Sequence, residues 1–233
     1  MNLWSQYEDW KKNCRWVDLS REVSEDTTHW AGFPPIEQTE LFNIEKDGFT
    51  VHLYHLVGQY GTHVDAPRHF IEGTRTLDTF RVDEMVCPLC VIDASSRVDE
   101  NPVYALSVED VYAYEDRYGK IPERAFVAFR SGWREGADFP GWDLETIRFL
   151  VEKRNITAIG HETSDTDPSN VGALKGYPGE KYILQQNRYQ VELMTNLDEV
   201  PEVGAIIFCT FPRVKGATGF TARCFALCEK NSI

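Results

Sequence analysis

Residues 58–70 read GQYGTHVDAPRHF, a short stretch that combines bending residues with side chains able to bind a metal or carry a proton. His63 and Asp65 are two residues apart, so an extended backbone points both side chains to the same side. Glycine lets the chain bend sharply here, and Pro67 fixes its own φ while favouring an extended conformation just before it. The stretch therefore predicts a stiff segment that presents an imidazole, a carboxylate and, four residues later, the second imidazole of His69.

This mixture of nitrogen and oxygen donors is what divalent metal ions bind in proteins. One histidine beside one aspartate is more often a hydrogen-bonded pair, but a GTHxDxPxH string bounded by glycine and proline favours metal binding. Gln59, four residues before His63, can approach the same point from the turn. The sequence has no GxSxG elbow and no plausible Cys–His dyad that would offer a competing nucleophile.

Length and charge limit the classes of function. The 233 residues, 42% of them hydrophobic, predict one large domain over residues 1–233. A formal net charge of −13 disfavours nucleic acid and acidic membranes as partners, and a small organic substrate fits better. No run of about 18 apolar residues and no signal-peptide pattern occurs, so we expect a cytoplasmic protein.

Strand-like runs dominate the rest of the chain, and helices interrupt them irregularly. The predicted helices cover residues 3–12, 107–119, 143–155 and 179–187, with Ser107 and Asp143 as N-caps and Gly119 as a stop signal. The predicted strands are RWVDLS, TELFNIEK, FTVHLYHL, CPLCVID, AFVAF, ITAIG, RYQVEL, GAIIFCTF and FTARCFALC. The second and third form a hairpin through a DG turn. The pattern predicts a mixed α/β domain with a barrel-like or strongly curved sheet.

The six cysteines favour burial as reduced thiols. Cys87 and Cys90 match half of a four-cysteine zinc site, whose other half would be Cys224 and Cys228 at a less typical spacing. We keep a zinc-stapled interaction module as the last-ranked alternative.

GTHVDAPRHF closely resembles the HxGTHxDxPxH signature of the cyclase family of metal-dependent hydrolases, which includes bacterial kynurenine formamidase and isatin hydrolase. The resemblance extends over Trp16 to Leu227, and its order and breadth make it more specific than the signature alone. The other resembling blocks are RWVDLS, FIEGTRTLDTF, AFVAFRSGW, IGHETSDTDP, VELMTNLDEVP and FPRVKGATGFTARCFAL.

The resemblance implies roles for individual residues. His63, Asp65 and Glu192 occupy metal-ligand positions of the family. His69 matches the histidine that acts as general acid or base beside the metal-bound water. Trp30 lies where relatives place aromatic groups against the substrate, sometimes across a subunit boundary.

Two departures from the family pattern change the ligand chemistry. Gln59 replaces the first histidine of the signature, and Glu180 stands where a later metal-binding histidine is expected. An amide oxygen and a carboxylate are harder ligands than the two imidazoles they replace. The metal preference of the site should therefore move from zinc toward manganese, magnesium or ferrous iron. One ion held by His63, Asp65, Glu192 and either of these residues is our hypothesis, and two ions bridged by carboxylates remain an alternative.

The function that the resemblance implies is hydrolysis of an amide or lactam C–N bond by a metal-activated water. Conversion of N-formylkynurenine to kynurenine and formate, a step of tryptophan catabolism, is one such reaction, and opening of an isatin-like lactam is another. Trp133 could line the substrate pocket together with Trp30. The alternative from another class is a homologue that has lost catalysis and binds small molecules in a metal-dependent way. Relatives form dimers or tetramers, so we expect a homodimer or homotetramer.

Overall fold

A nine-stranded curled sheet organises residues 2–230, the part of the chain that the computed structural model describes. The strands are β1 (Cys14–Asp18), β2 (Glu37–Phe42), β3 (Val51–His55), β4 (His63–Asp65), β5 (Val86–Asp93), β6 (Ala105–Leu106), β7 (Phe126–Arg130), β8 (Gly141–Trp142), β9 (Ala158–His161), β10 (Tyr189–Glu192), β11 (Ala205–Thr210), β12 (Gly219–Thr221) and β13 (Arg223–Glu229). The large sheet has the order β1-β13-β11-β5-β7-β9-β10-β4-β12. Its central strands β5, β7, β9 and β10 are parallel, and the flanking pairs are antiparallel.

The described part of the chain contains the four predicted helices, close to their predicted bounds, and three short α-helices that the sequence analysis did not predict. They are α1 (Leu3–Asn13), α2 (Ile44–Asp47), α3 (Ser95–Glu100), α4 (Val108–Tyr118), α5 (Leu144–Arg154), α6 (Gly172–Lys175) and α7 (Pro178–Gln185). The Ser107 hydroxyl accepts the backbone N–H of Asp110 at 3.3 Å, and the Asp110 carboxylate accepts the N–H of Ser107 at 2.8 Å. The Asp143 carboxylate caps α5 by accepting the backbone N–H of Glu145 at 3.2 Å. Within residues 2–230, no helix has the length and apolar character needed to cross a bilayer.

Both faces of the central strands β7, β9 and β10 are buried, and alternation along the strands divides the core into an inner and an outer part. On β7, Phe126 and Ala128 point into the inner core, which the curled sheet encloses. Val127 and Phe129 point into the outer core, which lies between the sheet and helices α4, α5 and α7. The predicted mixed α/β fold with a curved sheet and flanking helices is confirmed.

The cysteines follow this alternation and exclude the four-cysteine zinc site. Cys87 faces the inner core, whereas Cys90, three residues later, faces the outer core. Cys224 and Cys228 lie on the inner side with Cys87, so the four thiols cannot converge on one ion. All six cysteines are free thiols. The alternative prediction of a zinc-stapled interaction module is therefore wrong.

Two predicted elements form in an unexpected setting. Helix α1 has the predicted position, but none of its residues is buried, and Trp4 is 81% exposed. The hairpin of β2 and β3 also forms, with the short helix α2 inserted before Gly48, whose φ is +80°. These two strands pair only with each other and do not join the large sheet.

The last predicted strand splits into β12, beside β4, and β13, beside β11.

Candidate active site

Strand β4 lies between β10 and β12 and consists of the residues HVD. His63 is paired with Glu192, and Asp65 with Gln190. Val64 points into the inner core. Because side chains alternate along a strand, the four polar residues point together to the outer face of the sheet, where α7 packs. The side chains of His63 and Asp65 thus point to the same side, as predicted, on a strand of only three residues.

The first group of potential metal ligands is His63, Asp65 and Glu192, which are all buried. The Nε2 atom of His63 lies 3.4 Å from Asp65 Oδ2 and 3.5 Å from Glu192 Oε2. The Nδ1 atom of His63 lies 2.8 Å from the carbonyl oxygen of Gly61. A carbonyl can only accept, so Nδ1 carries the hydrogen, and in the neutral ring the Nε2 lone pair faces the two carboxylates. That is the tautomer needed to bind a metal through Nε2.

The second group is Asp65, His69 and Glu180, and it shares Asp65 with the first. His69 ends a single 3-10 turn that starts at Pro67, and its ring is exposed. Glu180 lies in the first turn of α7 and is buried. Within each group the candidate ligand atoms lie within 4.8 Å of one another. The two groups therefore form a continuous cluster that runs from the sheet to the protein surface.

Gln59 contacts His69. Its amide nitrogen lies 3.2 Å from His69 Nδ1 and 3.3 Å from the Thr218 hydroxyl. The residue predicted as a metal ligand is therefore placed as a hydrogen-bond partner of the predicted acid or base. An amide can donate to Nδ1 through its NH2 or, after rotation, accept from it through its oxygen. It can therefore stabilise either protonation state of the ring.

Gln190 holds the carboxylates of the cluster together. Its amide nitrogen donates to Glu180 Oε1 at 2.8 Å, Glu192 Oε1 at 3.1 Å and Asp65 Oδ2 at 3.3 Å. Its oxygen accepts the Thr166 hydroxyl at 2.6 Å, which fixes the orientation of the amide. One neutral side chain thus bridges both groups of potential ligands.

The cluster carries more negative charge than its partners offset. Burial, and then the neighbouring carboxylates, raise the pKa of Glu180 and of Glu192 well above the usual value. Burial also acts to raise the pKa of Asp65, but the adjacent His63 outweighs it and holds that pKa below its usual value. Asp65 Oδ1 is buried and has no hydrogen-bond partner within residues 2–230. This unpartnered oxygen, the crowded carboxylates and the lone pair of His63 fit a divalent cation.

His161 also faces this cluster, but its tautomer differs from that of His63. Trp142 Nε1 donates to His161 Nδ1 at 3.2 Å, so in the neutral ring the hydrogen lies on Nε2, 3.6 Å from Glu192 Oε1. Burial, followed by the nearby His63, lowers the pKa of His161 to about 3 and keeps the ring neutral. His161 is therefore a potential donor toward Glu192, and its Nε2 has no free lone pair for a metal.

A cavity of about 250 Å³ opens above the cluster. Its apolar wall consists mainly of aromatic rings, and its floor is the polar cluster. The lining residues are Trp30, Phe33, Gln59, His63, Asp65, His69, Phe70, Ser164, Asp165, Tyr177, Glu180, Glu192 and Leu193. Trp30 stands 55% exposed, edge-on to Phe33 with 5.1 Å between ring centroids. An apolar body with a few convergent polar groups is typical of a small-molecule site.

The signature segment also holds the loop that carries Trp30. Tyr60 is fully buried, and its ring stacks on His29 at 4.5 Å between centroids. Its hydroxyl donates to the carbonyl of Ser24 at 3.1 Å and accepts the N–H of Ile36 at 3.3 Å. The residue next to Gln59 therefore anchors both ends of this loop.

Trp133 does not line the cavity, which corrects its predicted role in this chain. Its indole N–H donates to the carbonyl of Asp138 at 3.3 Å, and its ring packs edge-on against Phe139. The turn that carries it is set by Glu162, whose Oε2 accepts the N–H groups of Ser131 and Gly132. The indole therefore lies outside the cavity lining.

Sequence reasoning missed two residues of the site, Gln190 and Asp165. Gln190 is two positions before Glu192, so strand alternation alone predicts that it shares a face with the ligand. Asp165 lies in the long loop after β9, where no periodic signal exists. Burial raises the pKa of Asp165 to about 7, with further contributions from the charges of Asp167 and Asp65.

Comparison with known proteins identifies the family. The model of the Cyclase family matches residues 17–168. Isatin hydrolase of Roseibium aggregatum is 27% identical over 218 residues, which cover 84% of this chain and 82% of the relative. Kynurenine formamidase of Bacillus anthracis is 33% identical over 165 residues, 67% of this chain and 72% of the relative.

Solved structures agree with the sequence comparison. Isatin hydrolase A from Labrenzia aggregata, bound to benzyl benzoate, superposes with a TM-score of 0.91 at 27% identity, covering 98% of this chain and all of the other. The matched family region contains β4 with its HVD triplet, and the superposition covers nearly the whole fold. The chain therefore belongs to the cyclase family, with isatin hydrolase and kynurenine formamidase among its relatives.

Proposed function

We propose that the protein is a metal-dependent hydrolase that cleaves a non-peptide amide or lactam C–N bond. The observation that carries the proposal is the buried group of His63, Asp65 and Glu192 at the floor of a cavity with aromatic walls. His69 stands at the same floor and is exposed to the cavity. The family relatives, isatin hydrolase and kynurenine formamidase, support a reaction at an amide bond.

His63, Asp65 and Glu192 would hold a divalent ion, and Glu180 would extend the set toward a second position. The carboxylates make manganese, magnesium, ferrous iron and zinc all suitable ions, one or two per chain. A bound ion would lower the pKa of a water from about 15.7 toward about 7 and polarise the substrate carbonyl.

His69 would act as the general acid and base. It would accept a proton from the attacking water and return it to the leaving nitrogen when the C–N bond breaks. Gln59, 3.2 Å from Nδ1, would keep the ring oriented in both protonation states. Trp30, Phe33 and Phe70 would pack against an aromatic substrate and reduce the access of bulk water.

Two substrates represent the two forms of this reaction. A lactam such as isatin would open to an amino acid carboxylate, and an arylformamide such as N-formylkynurenine would release formate. The names of the relatives support each form.

A second candidate is a metal-dependent small-molecule binding protein that has lost catalysis. The feature that favours it is the pair Gln59 and Glu180, at positions where the family resemblance implies histidines. Metal and ligand binding without turnover of either substrate would support this alternative.

We also propose a homodimer or homotetramer. The β2–β3 hairpin and its connection expose apolar side chains that include Leu41, Phe49 and Tyr54, each at least 50% exposed. An exposed apolar patch of this kind is typical of an interface with another chain. Light scattering at several protein concentrations measures the mass directly.

The first experiment is metal content per chain by elemental mass spectrometry, on wild type and on His63→Ala prepared side by side. We expect about one or two equivalents of metal in the wild type and a loss in the variant. Lactam-opening and deformylation assays with that metal then test turnover. A wild type that takes up no metal after incubation with each ion would overturn the proposal.

A further inference from the structure

Asp165 brings a carboxyl group into the cavity from outside the two ligand groups. It accepts the backbone N–H of Asp167 at 3.0 Å. Within residues 2–230, no side chain donates a hydrogen bond to it. A partly buried carboxyl without a side-chain donor has remaining acceptor capacity, which a ligand in the cavity can use.

The loop holds this carboxyl in place. The Thr163 hydroxyl donates to the Asp165 carbonyl at 2.9 Å. Asp167 accepts the N–H groups of Gly179 and Glu180 at 2.8 and 3.1 Å, which ties the loop to the start of α7. At Gly172 a Cβ atom would come within 2.9 Å of Asp165 Oδ2. The side chain therefore packs against the Gly172 backbone on one side and faces the cavity on the other.

The charge around the cavity has one sign. Four carboxyl groups line it, those of Asp65, Asp165, Glu180 and Glu192. Among the described residues, no lysine or arginine lines it. With one dication bound and the four carboxyl groups ionised, negative charge would exceed positive charge, so a ligand carboxylate would enter against repulsion and without a lysine or arginine partner.

We propose that Asp165 is a specificity-determining residue: its carboxyl accepts a hydrogen bond from an N–H group of the substrate and excludes substrates that carry a carboxylate. This inference rests on the proposed function. It names the substrate class as neutral aromatic amides or lactams with a free N–H. Zwitterionic amino acids such as N-formylkynurenine would be poor substrates, because among the described residues no lysine or arginine lines the cavity to pair with their carboxylate.

The same charge acts on the product. Hydrolysis of a lactam adds water across the C–N bond, leaves the nitrogen as an amine and forms a carboxylic acid that loses its proton. The substrate is neutral and the product is an anion, so the cavity repels the product more than the substrate. Release of product is thereby favoured.

The test uses metal-loaded protein and three ligands, isatin, N-methylisatin and isatin-5-carboxylate. Calorimetry gives each Kd and steady-state assays give each kcat/KM. We expect the wild type to bind isatin about 10- to 100-fold more tightly than N-methylisatin, the usual range for one hydrogen bond to a charged group. Isatin-5-carboxylate should bind more weakly than isatin by a similar factor.

Two variants separate the hydrogen bond from the charge. Asp165→Asn keeps an acceptor oxygen but removes the charge, so tolerance of the carboxylate should rise while part of the N–H preference remains. Asp165→Ala should lose both discriminations, with ratios within about 3-fold of one. Asp99→Asn, an exposed residue of α3, is the matched control and should retain the wild-type ratios.

Unchanged ratios in both Asp165 variants would overturn the inference, and so would a wild type that binds none of the three ligands. Failure of the proposed function has a different signature. In that case the binding ratios shift with Asp165 as expected, but neither lactam nor formamide is hydrolysed.

Discussion

The two ligand groups share Asp65 but are built in different ways. His63, Asp65 and Glu192 come from adjacent strands whose register is fixed by backbone hydrogen bonds, and all three are buried. His69 and Glu180 come from a 3-10 turn and a helix end, and His69 is exposed. Under the proposed function, the sheet would supply rigid metal ligands and the turn a group that can meet a substrate. Holding an ion and moving a proton would then fall to separate parts of the site.

The largest expected effect comes from the residue that the groups share. Asp65→Asn removes the charge from both, and we expect metal affinity and kcat/KM to fall at least about 1000-fold, since loss of an outer partner of a ligand already costs about 10- to 100-fold. Metal content and steady-state kinetics measure this, with Asp99→Asn as control. A variant that retains full metal content would show that Asp65 is not a ligand.

His69→Gln should separate the role of the exposed histidine from that of the buried ligand group. Because the buried ligands are intact, we expect metal content to stay within about 2-fold of wild type, while kcat falls about 100- to 10,000-fold through loss of the proton carrier. Metal analysis and kinetics on one preparation provide the measurement. If the ion is lost together with the activity, His69 is mainly a ligand and the comparison fails.

Gln190→Met should weaken both groups without removing a ligand. The amide that donates to three carboxylates is lost at similar side-chain volume, and we expect metal affinity to fall about 10- to 100-fold. Titration with a competing chelator measures the affinity. Gln38→Met, on the exposed strand β2, is the control. Equal affinities in the two variants would rule out the bridging role of Gln190.

The smallest effect concerns the stability of the metal-free protein. Asp165, Glu180 and Glu192 have pKa values raised above those of the unfolded chain, so their contribution to stability is present at low pH and is lost as pH rises. For Asp165 the window runs from about 4 to 7. We expect the Tm of chelator-treated protein to fall by a few degrees across this window, and less in Asp165→Asn. The same slope in both proteins would contradict this assignment.

Much of the fold follows from local signals. The N-caps Ser107 and Asp143 predicted α4 and α5, and strand-like, apolar runs predicted most strands of the sheet. The separate two-stranded sheet of β2 and β3 could not be predicted, because a hairpin pattern does not say whether a third strand will pair with it. The exposure of α1 could not be predicted either, because an apolar stripe on a helix does not show which element, if any, packs against it.

The site was partly predictable because its ligands lie on strands. The two-residue spacing of His63 and Asp65 predicted that their side chains point in the same direction. The same spacing between Gln190 and Glu192 predicts that these two side chains also share a face. The contacts of Gln59 with His69 and the position of Trp133 depend on turns whose φ and ψ angles the sequence does not determine. The position of Asp165 depends in addition on a loop that Asp167 holds against the start of α7. This is a tertiary contact that no local sequence pattern predicts.

The position of β4 between β10 and β12 also sets an order of events during synthesis. His63 and Asp65 leave the ribosome long before Glu192, and β12 follows later still. The buried ligand group is therefore incomplete on every nascent chain that ends before residue 192. On the nascent chain, closure of this edge of the sheet waits for β12. Under the proposed function, metal capture would also come late, because a prematurely terminated chain offers His63 and Asp65 without the enclosure that would retain an ion.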